Sequence, residues 1–303
     1  MNRPLLSRPG ALLLLPVSMV AFASSPLLVR LAMSTEPGAP ALEIAFWRTG
    51  WAALLLSLPM LLWRRQEVRR LGRDDLVRIG AAGLFLALHF VLWIEALRHT
   101  SVASASVLVS IHPIFLALLG YWWLRERLSR PTIVGILLAT VGGMLIGWGD
   151  AQIGSEAFPA ASWGNALAVS SALCFTGYLL LGRLLRQRLS WLPYVGMLYG
   201  ATALVVGLWF LLSGPGWEAR TWRFYGLCLL MALGPQIIGH GTLNYVVRFI
   251  SPAVVALLVL GEPLLASWGA YMLWGEVPSP ISALGMGLTL SGLLLAWWRT
   301  GGR

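Results

Sequence analysis

Apolar residues run along this chain in long blocks that neither alternate nor keep a clean amphipathic stripe, and short polar turns punctuate them. Ten blocks are long enough for a helix to cross a bilayer: 11–33, 42–63, 77–97, 102–124, 131–148, 161–182, 191–212, 223–247, 252–274 and 281–298. Barrel strands are excluded because the blocks are too long and lack period-two alternation. The first block, behind Arg3 and Arg8, also has the look of a secretory signal. Its apolar run continues to Met33, however, and FASSPLLVR at 22–30 has a counterpart in FTGYLLLGR at 175–183, so it is read as the first span.

The pattern repeats at half-length. Moving residues 98–145 along by 150 superposes Arg98 on Arg248, Ser101 on Ser251, Pro113 on Pro263, Tyr121 on Tyr271, Glu126 on Glu276 and Gly135 on Gly285. Glycines, prolines and acids staying in step over such a length is not what chance apolar matching produces. Residues 1–150 and 151–303 thus each hold five spans. An odd number makes the second half enter the membrane from the opposite side, giving two inverted five-helix repeats within one all-α membrane unit.

Composition places the chain in lipid. Of 303 residues 58% are hydrophobic and only 11% charged, and mean hydropathy is +0.76; a water-soluble surface needs about 25% charged residues. The net charge of +10 sits in short loops, which marks topology rather than nucleic-acid binding. Most arginines, including Arg64, Arg65, Arg69, Arg70, Arg183, Arg186 and Arg188, fall on one side, which the positive-inside rule assigns to the cytoplasm together with both termini. Arg30, Arg98, Arg220 and Arg223 fall on the other side with Glu36, Glu43, Asp150, Glu156 and Glu218. There is no lysine, which excludes a P-loop or a Schiff-base lysine. Cys174 and Cys228 read as small core residues, and no metal or cofactor is implied.

Charged or strongly polar groups inside a span cost at least ~2.5–3.5 kcal/mol at the bilayer centre, so they mark where function lies. Gln236, His240 and Asn244 share one face of the eighth span at i, i+4 and i+8, and Phe85, His89 and Trp93 repeat that spacing on the third. The two stripes correspond if one residue is gapped before Arg98, which suggests opposite walls of one cavity; interhelical hydrogen bonding is the alternative. His112-Pro113 and Glu262-Pro263 lie mid-way along the fourth and ninth spans. Each proline frees the carbonyl four residues back, of Val109 or Val259, and both helices are expected to kink. His112 and Glu262 are then a proton-coupling pair, or Glu262 only caps freed backbone amides or pairs with an arginine. Arg48 is read as structural, neutralised by Glu43 or Glu95, with binding of a substrate carboxylate as the alternative. Phe22, Ser24, Ser25, Trp163, Thr176 and Tyr178 are candidate cavity wall. Tryptophans such as Trp63, Trp148 and Trp222 read as interfacial anchors, and the glycine-rich fifth and tenth spans read as close packing, within a monomer or in a homodimer.

The stretch ALRHTSVASASVLVSIHPIFLALLGYWWLRERLSRPTIVGILLATVGGMLIG resembles the fourth-span hallmark of the ten-helix EamA-like transporters of the drug/metabolite transporter superfamily. LVLGEPLLASWGAYMLWGEVPSPISALGMGLTLSGLLL resembles the matching part of their second repeat. The resemblance implies an inner-membrane secondary carrier, not an enzyme, with a central cavity walled by the first, third, fourth, sixth, eighth and ninth spans. It brings His89, Trp93, His112, Trp163, Tyr178, Gln236, His240, Asn244 and Glu262 near that cavity. Export of an amino acid or related amphipathic compound by alternating access is the implied function. A carrier of another class (nucleobase, vitamin, sugar derivative or drug) and a membrane-embedded enzyme are the alternatives.

Overall fold

In lipid no water satisfies the backbone, so each apolar block must close its own hydrogen bonds, and helices do so. The computed structural model describes residues 9–112, 114–115, 118–119, 130–153, 158–214, 218–246, 248 and 252–298, and among these every regular element is helical. In chain order they are α1 (Pro9–Thr35), α2 (Ala41–Trp63), the short α3 (Arg65–Arg69), α4 (Arg73–His99), α5 (Val102–Val109), α6 (Arg130–Ile153), α7 (Ala161–Arg186), α8 (Trp191–Leu212) and α9 (Trp222–Met231). A π-helical segment (Ala232–His240) leads without a break into α10 (Gly241–Val246), and α11 (Pro252–Trp274) and α12 (Pro280–Trp298) follow. Six helices among the described residues are long and apolar enough to span a bilayer, with two shorter apolar stretches at Ile133–Ile146 and Pro280–Leu295. The protein is an all-helical, multi-pass membrane protein.

Local chemistry sets the helix ends. Ser101 Oγ accepts the Ser104 amide at 3.0 Å to begin α5, and Thr221 Oγ1 accepts that of Phe224 to begin α9. α11 stops at Gly275, whose φ of +65° is the left-handed cap conformation and whose amide returns to Tyr271 O at 2.9 Å. Leu54, Leu58, Leu62 and Leu212 point outward, as lipid-facing positions should, and Trp63, Trp148 and Trp222 are exposed as expected of anchors. Trp122, Trp123, Tyr121 and Glu126 lie outside the described residues. Cys174 and Cys228 are both free thiols.

The packing exchanges partners between the two halves. α1 packs on the π segment, and its counterpart α7 packs on α4. α6 lies against α12 so closely that a Cβ on Gly285 would meet Gly142 O at 2.6 Å, and one on Gly292 would meet Gly135 O at 2.5 Å. Gly135 corresponds to Gly285 and Gly142 to Gly292, so one contact is the other with its partners swapped. The glycine faces therefore close on each other within the chain.

The fourth and ninth blocks differ. α5 ends at Val109 and the chain turns at Ser110 and Ile111, whereas α11 continues through Pro263. Pro113 itself falls outside the described residues. The carbonyl of Val109, which a proline at 113 leaves without its helical donor, receives the His112 ring Nδ1–H at 3.3 Å.

Candidate functional site

Between α1, α4, α5, α7, the π segment and α11 lies a small cavity lined by Phe22, Ser25, His89, Phe90, Trp93, Val109, Ser110, His112, Phe175, His240 and Glu262. Its centre is built from two ring pairs. Phe22 stacks beside His240 at 4.6 Å between centroids, and Phe175 beside His89 at 4.9 Å. Phe22 corresponds to Phe175 and His89 to His240, so these pairs too are interchanged by the sequence repeat. The two imidazoles lie 6.1 Å apart, edge to face. Trp93 stacks parallel to His89 at 6.5 Å and closes the aromatic wall.

Hydrogen bonds fix the orientation of His89. Ser171 Oγ donates to His89 O at 3.0 Å and so accepts from Nδ1–H at 2.8 Å, with Ser171 O as a second acceptor at 3.2 Å. Nε2 then carries the lone pair. His240 is less constrained, because its Nδ1 is buried without a hydrogen-bond partner, as is Trp93 Nε1. His112 and Glu262 line the same cavity, but no ion pair joins them, and His112 is engaged by Val109 O through Nδ1. Thr176 is drawn in as well, donating to His112 O at 3.2 Å.

The structure rearranges several expected positions. Gln236, His240 and Asn244 do not share one wall, and the helix is π-wound from Ala232 to His240. Pro235 has no amide to give, the turn widens to i→i+5, and Gly241 N–H reaches Gln236 O. Of the three only His240 faces the cavity. Gln236 Oε1 accepts from Arg48 Nε at 3.2 Å and its backbone carbonyl accepts from Tyr199 Oη at 2.9 Å. Asn244 Oδ1 accepts from Tyr178 Oη at 2.9 Å in a polar layer behind the cavity, alongside the buried Arg186, which donates to Asn244 O and Leu189 O. Arg186 is therefore an internal brace and not one of the loop arginines.

Trp163 is 59% exposed near the start of α7. It is twelve residues, about 18 Å of helix, from the Phe175 level of the cavity, so it is not cavity wall. Phe85 is 38% exposed and packs over Gly177, leaving His89 and Trp93 as the part of that stripe that reaches the cavity. Ser25 lines the cavity while Ser24 turns back to Ala21 O.

The largest departure concerns Arg48. It is 0% exposed, and neither Glu43 nor Glu95 neutralises it. Glu43 is held by Arg220 through Nε at 3.2 Å and Nη2 at 3.0 Å, and Glu95 pairs with Arg98 and His99. Hydrogen bonding to Glu43 holds the Arg220 guanidinium above its ordinary value. Arg48 instead meets neutral groups: Gln236, Ser25 Oγ at 3.3 Å and the face of Phe90 at 4.1 Å. A reading of the chain alone missed this because a span arginine beside an acid suggests a local pair, whereas the partners lie 188 and 23 residues away.

At the end of the bundle where α1 finishes, Arg30 donates to Leu97 O, Thr100 O and Glu276 Oε1 at 2.8, 2.5 and 2.5 Å. Glu276 Oε2 accepts the Val102 amide at 3.0 Å. One ion pair thus ties α1, the α4–α5 turn and the α11–α12 loop together.

A lipid-embedded helical bundle around a small aromatic cavity with a few buried polar groups fits a membrane transport protein. The comparisons make that specific: residues 9–148 and 162–298 each match the EamA-like transporter family, and the chain belongs to it. It is 28% identical over 260 residues to the pseudopaline exporter CntI of Pseudomonas aeruginosa, covering 85% of each chain. It is 27% identical over 273 residues to a probable terminal-alkyne amino-acid exporter of Streptantibioticus cattleyicolor, covering 88% of this chain and 86% of that one. A solved structure described as "Crystal structure of protein" has the same fold, with a TM-score of 0.67 and 20% identity over 97% of this chain and 100% of the other.

Proposed function

We propose that this protein is a secondary carrier that exports a small amphipathic metabolite, an amino acid or a close derivative, by alternating access. The observation that carries the reading is the exchange of partners about the cavity: Phe22–His240 and Phe175–His89 are one contact made twice, once by each half. Two similar halves facing each other across a midplane site can rock about it and open it to either side in turn. The swapped Gly142–Gly285 and Gly135–Gly292 contacts support the same two-fold relation. With ten spans, five to a half, the halves are inverted, and both termini lie on the arginine-rich cytoplasmic side of an inner membrane.

His89, Trp93 and His240 form the substrate wall, with Gln236, Tyr178 and Asn244 positioning it from behind. Glu262 is the residue proposed for proton coupling, since it lines the cavity while His112 serves the backbone at Val109. Two relatives named as exporters of pseudopaline and of a terminal-alkyne amino acid support an amino-acid-like substrate.

The test is counterflow of labelled amino acids into proteoliposomes of the purified protein, with and without an imposed pH gradient. Saturable counterflow is expected, and acceleration by the gradient that Glu262→Gln removes is expected for coupling. Counterflow of nucleobases or sugars but of no amino acid would replace the substrate class, and no counterflow of any solute would remove the carrier reading.

A further inference from the structure

Arg48 presents a puzzle of energetics. It begins about 10 Å into α2, within the apolar thickness, and is fully buried. A buried charge without a counter-charge is among the costliest arrangements a protein holds. Other buried arginines have partners that offset that cost: Arg30 has Glu276, Arg220 has Glu43, and Arg186 has two backbone carbonyls. Arg48 has no carboxylate within 4 Å among the described residues. Its two hydrogen bonds, at 3.2 and 3.3 Å, are long ones, and Nη2 has none.

The vacancy is shared. Gln236 gives its Oε1 to Arg48 and so leaves Nε2 buried and unpartnered beside it. Two adjacent donors, one of them cationic, lack an acceptor, and a carboxylate supplies two acceptor oxygens with a charge to match. The guanidinium lies directly behind the cavity wall: it touches Ser25 and Phe90, which line the cavity, while neither it nor Gln236 is itself a lining residue. Glu262 also lines the cavity, is buried, and has no hydrogen bond or ion pair of its own among the described residues. The other walls of the cavity include Phe22, Phe90, Trp93 and Phe175.

We propose that, when Ser25 and Phe90 move aside, Arg48 with Gln236 anchors the carboxylate of the substrate and Glu262 faces its amine, so that the cavity selects zwitterionic amino acids with an apolar or aromatic side chain. This rests on the carrier reading above and assigns its substrate charges. The buried arginine is kept in spite of its cost because substrate binding offsets that cost.

The probes are L-phenylalanine, its carboxamide, and 3-phenylpropionate, which keeps the carboxylate and lacks the amine. Thermal unfolding and equilibrium binding are followed on detergent-purified wild type, Arg48→Gln and Glu262→Gln. L-Phenylalanine should stabilise wild type and the carboxamide should not. Arg48→Gln should bind L-phenylalanine at least tenfold more weakly, about 1.4 kcal/mol, while unfolding at an equal or higher temperature, because an unpaired charge has been removed. 3-Phenylpropionate should bind wild type and Glu262→Gln alike and lose binding in Arg48→Gln. Equal stabilisation of wild type by the acid and its amide, no binding of either carboxylate, or unchanged binding by Arg48→Gln would overturn the proposal. If Arg48→Gln cannot be purified folded, the wild-type comparison of acid and amide decides. Counterflow of L-phenylalanine separates the two readings: counterflow that does not depend on Arg48 sinks the anchor and leaves the carrier, while Arg48-dependent binding without counterflow does the reverse.

Discussion

Replacing Glu276 by Gln removes the negative charge from the pair with Arg30 and leaves one acceptor oxygen where there were two. Glu276 accepts from Arg30 at 2.5 Å and from the Val102 amide at 3.0 Å, so the variant must release one of them. The side chains are only 15% and 14% exposed, so water screens the pair weakly. A hydrogen bond to a charged group contributes about 1.5–3 kcal/mol, and Arg30 keeps Leu97 O and Thr100 O. On the proposed alternating-access cycle, the state closed at that end should therefore lose roughly 1.5–3 kcal/mol, a shift of about 10- to 150-fold in its opening equilibrium. Cavity access reads this directly. With Cys174 replaced by Ala and Ser25 by Cys, a membrane-impermeant maleimide applied from the face where α1 ends should react at least tenfold faster in Glu276→Gln. If the melting temperature falls while the labelling rate stays as in Glu276 protein, the pair is a static brace and the gating argument is wrong.

Other outcomes follow from the same geometry. Gly285→Ala places a methyl 2.6 Å from Gly142 O and 2.8 Å from Ile146 N, so α6 and α12 must separate, at a cost of about 1–3 kcal/mol; thermal unfolding in detergent should show the loss, and an unchanged melting temperature would mean the helices are not in contact. Tyr178→Phe leaves Asn244 Oδ1 buried without its donor and should destabilise by about 1–3 kcal/mol, measured the same way. Glu36 accepts the Thr221 amide at 2.9 Å, and that hydrogen bond holds its carboxyl below the ordinary value of 4.5. A depressed value means stabilisation that is complete above pH 4.5 and disappears as the pH falls through the folded value. Between pH 5 and pH 3 the wild type should lose more melting temperature than Glu36→Gln, and equal losses would remove that role.

Much of this fold is visible in the chain because lipid allows few alternatives. Long apolar blocks must be helices, and a 150-residue offset that keeps Pro113 over Pro263 and Gly135 over Gly285 has a duplicated unit as its simplest cause. The correspondences of Phe22 with Phe175 and of His89 with His240 can be read along the chain, but the contacts across the cavity, Phe22 with His240 and Phe175 with His89, cannot. What was not legible depends on local winding and on distant partners. Gln236 and Asn244 are drawn off the cavity by Arg48 and Tyr178 on other helices, and nothing in the composition of 232–240 specifies five-residue turns beyond Pro235. Trp163 matches the composition of a wall residue but is set by its depth, a quantity the residue type does not carry. Arg48 was paired in expectation with the nearest acid along the chain, whereas Glu43 is taken by Arg220 from across the bundle.

The central claim is that the substrate occupies the cavity between the two Phe–His pairs. Ser110 lines that cavity, and its hydroxyl donates only to Ser106 O on its own helix, so Ser110→Cys alters little else. In proteoliposomes of that variant, again without Cys174, the transported amino acid should slow alkylation of Cys at 110 with the same half-saturating concentration that it shows in counterflow. Saturated counterflow with an unchanged alkylation rate, or full counterflow after complete alkylation, would contradict the account.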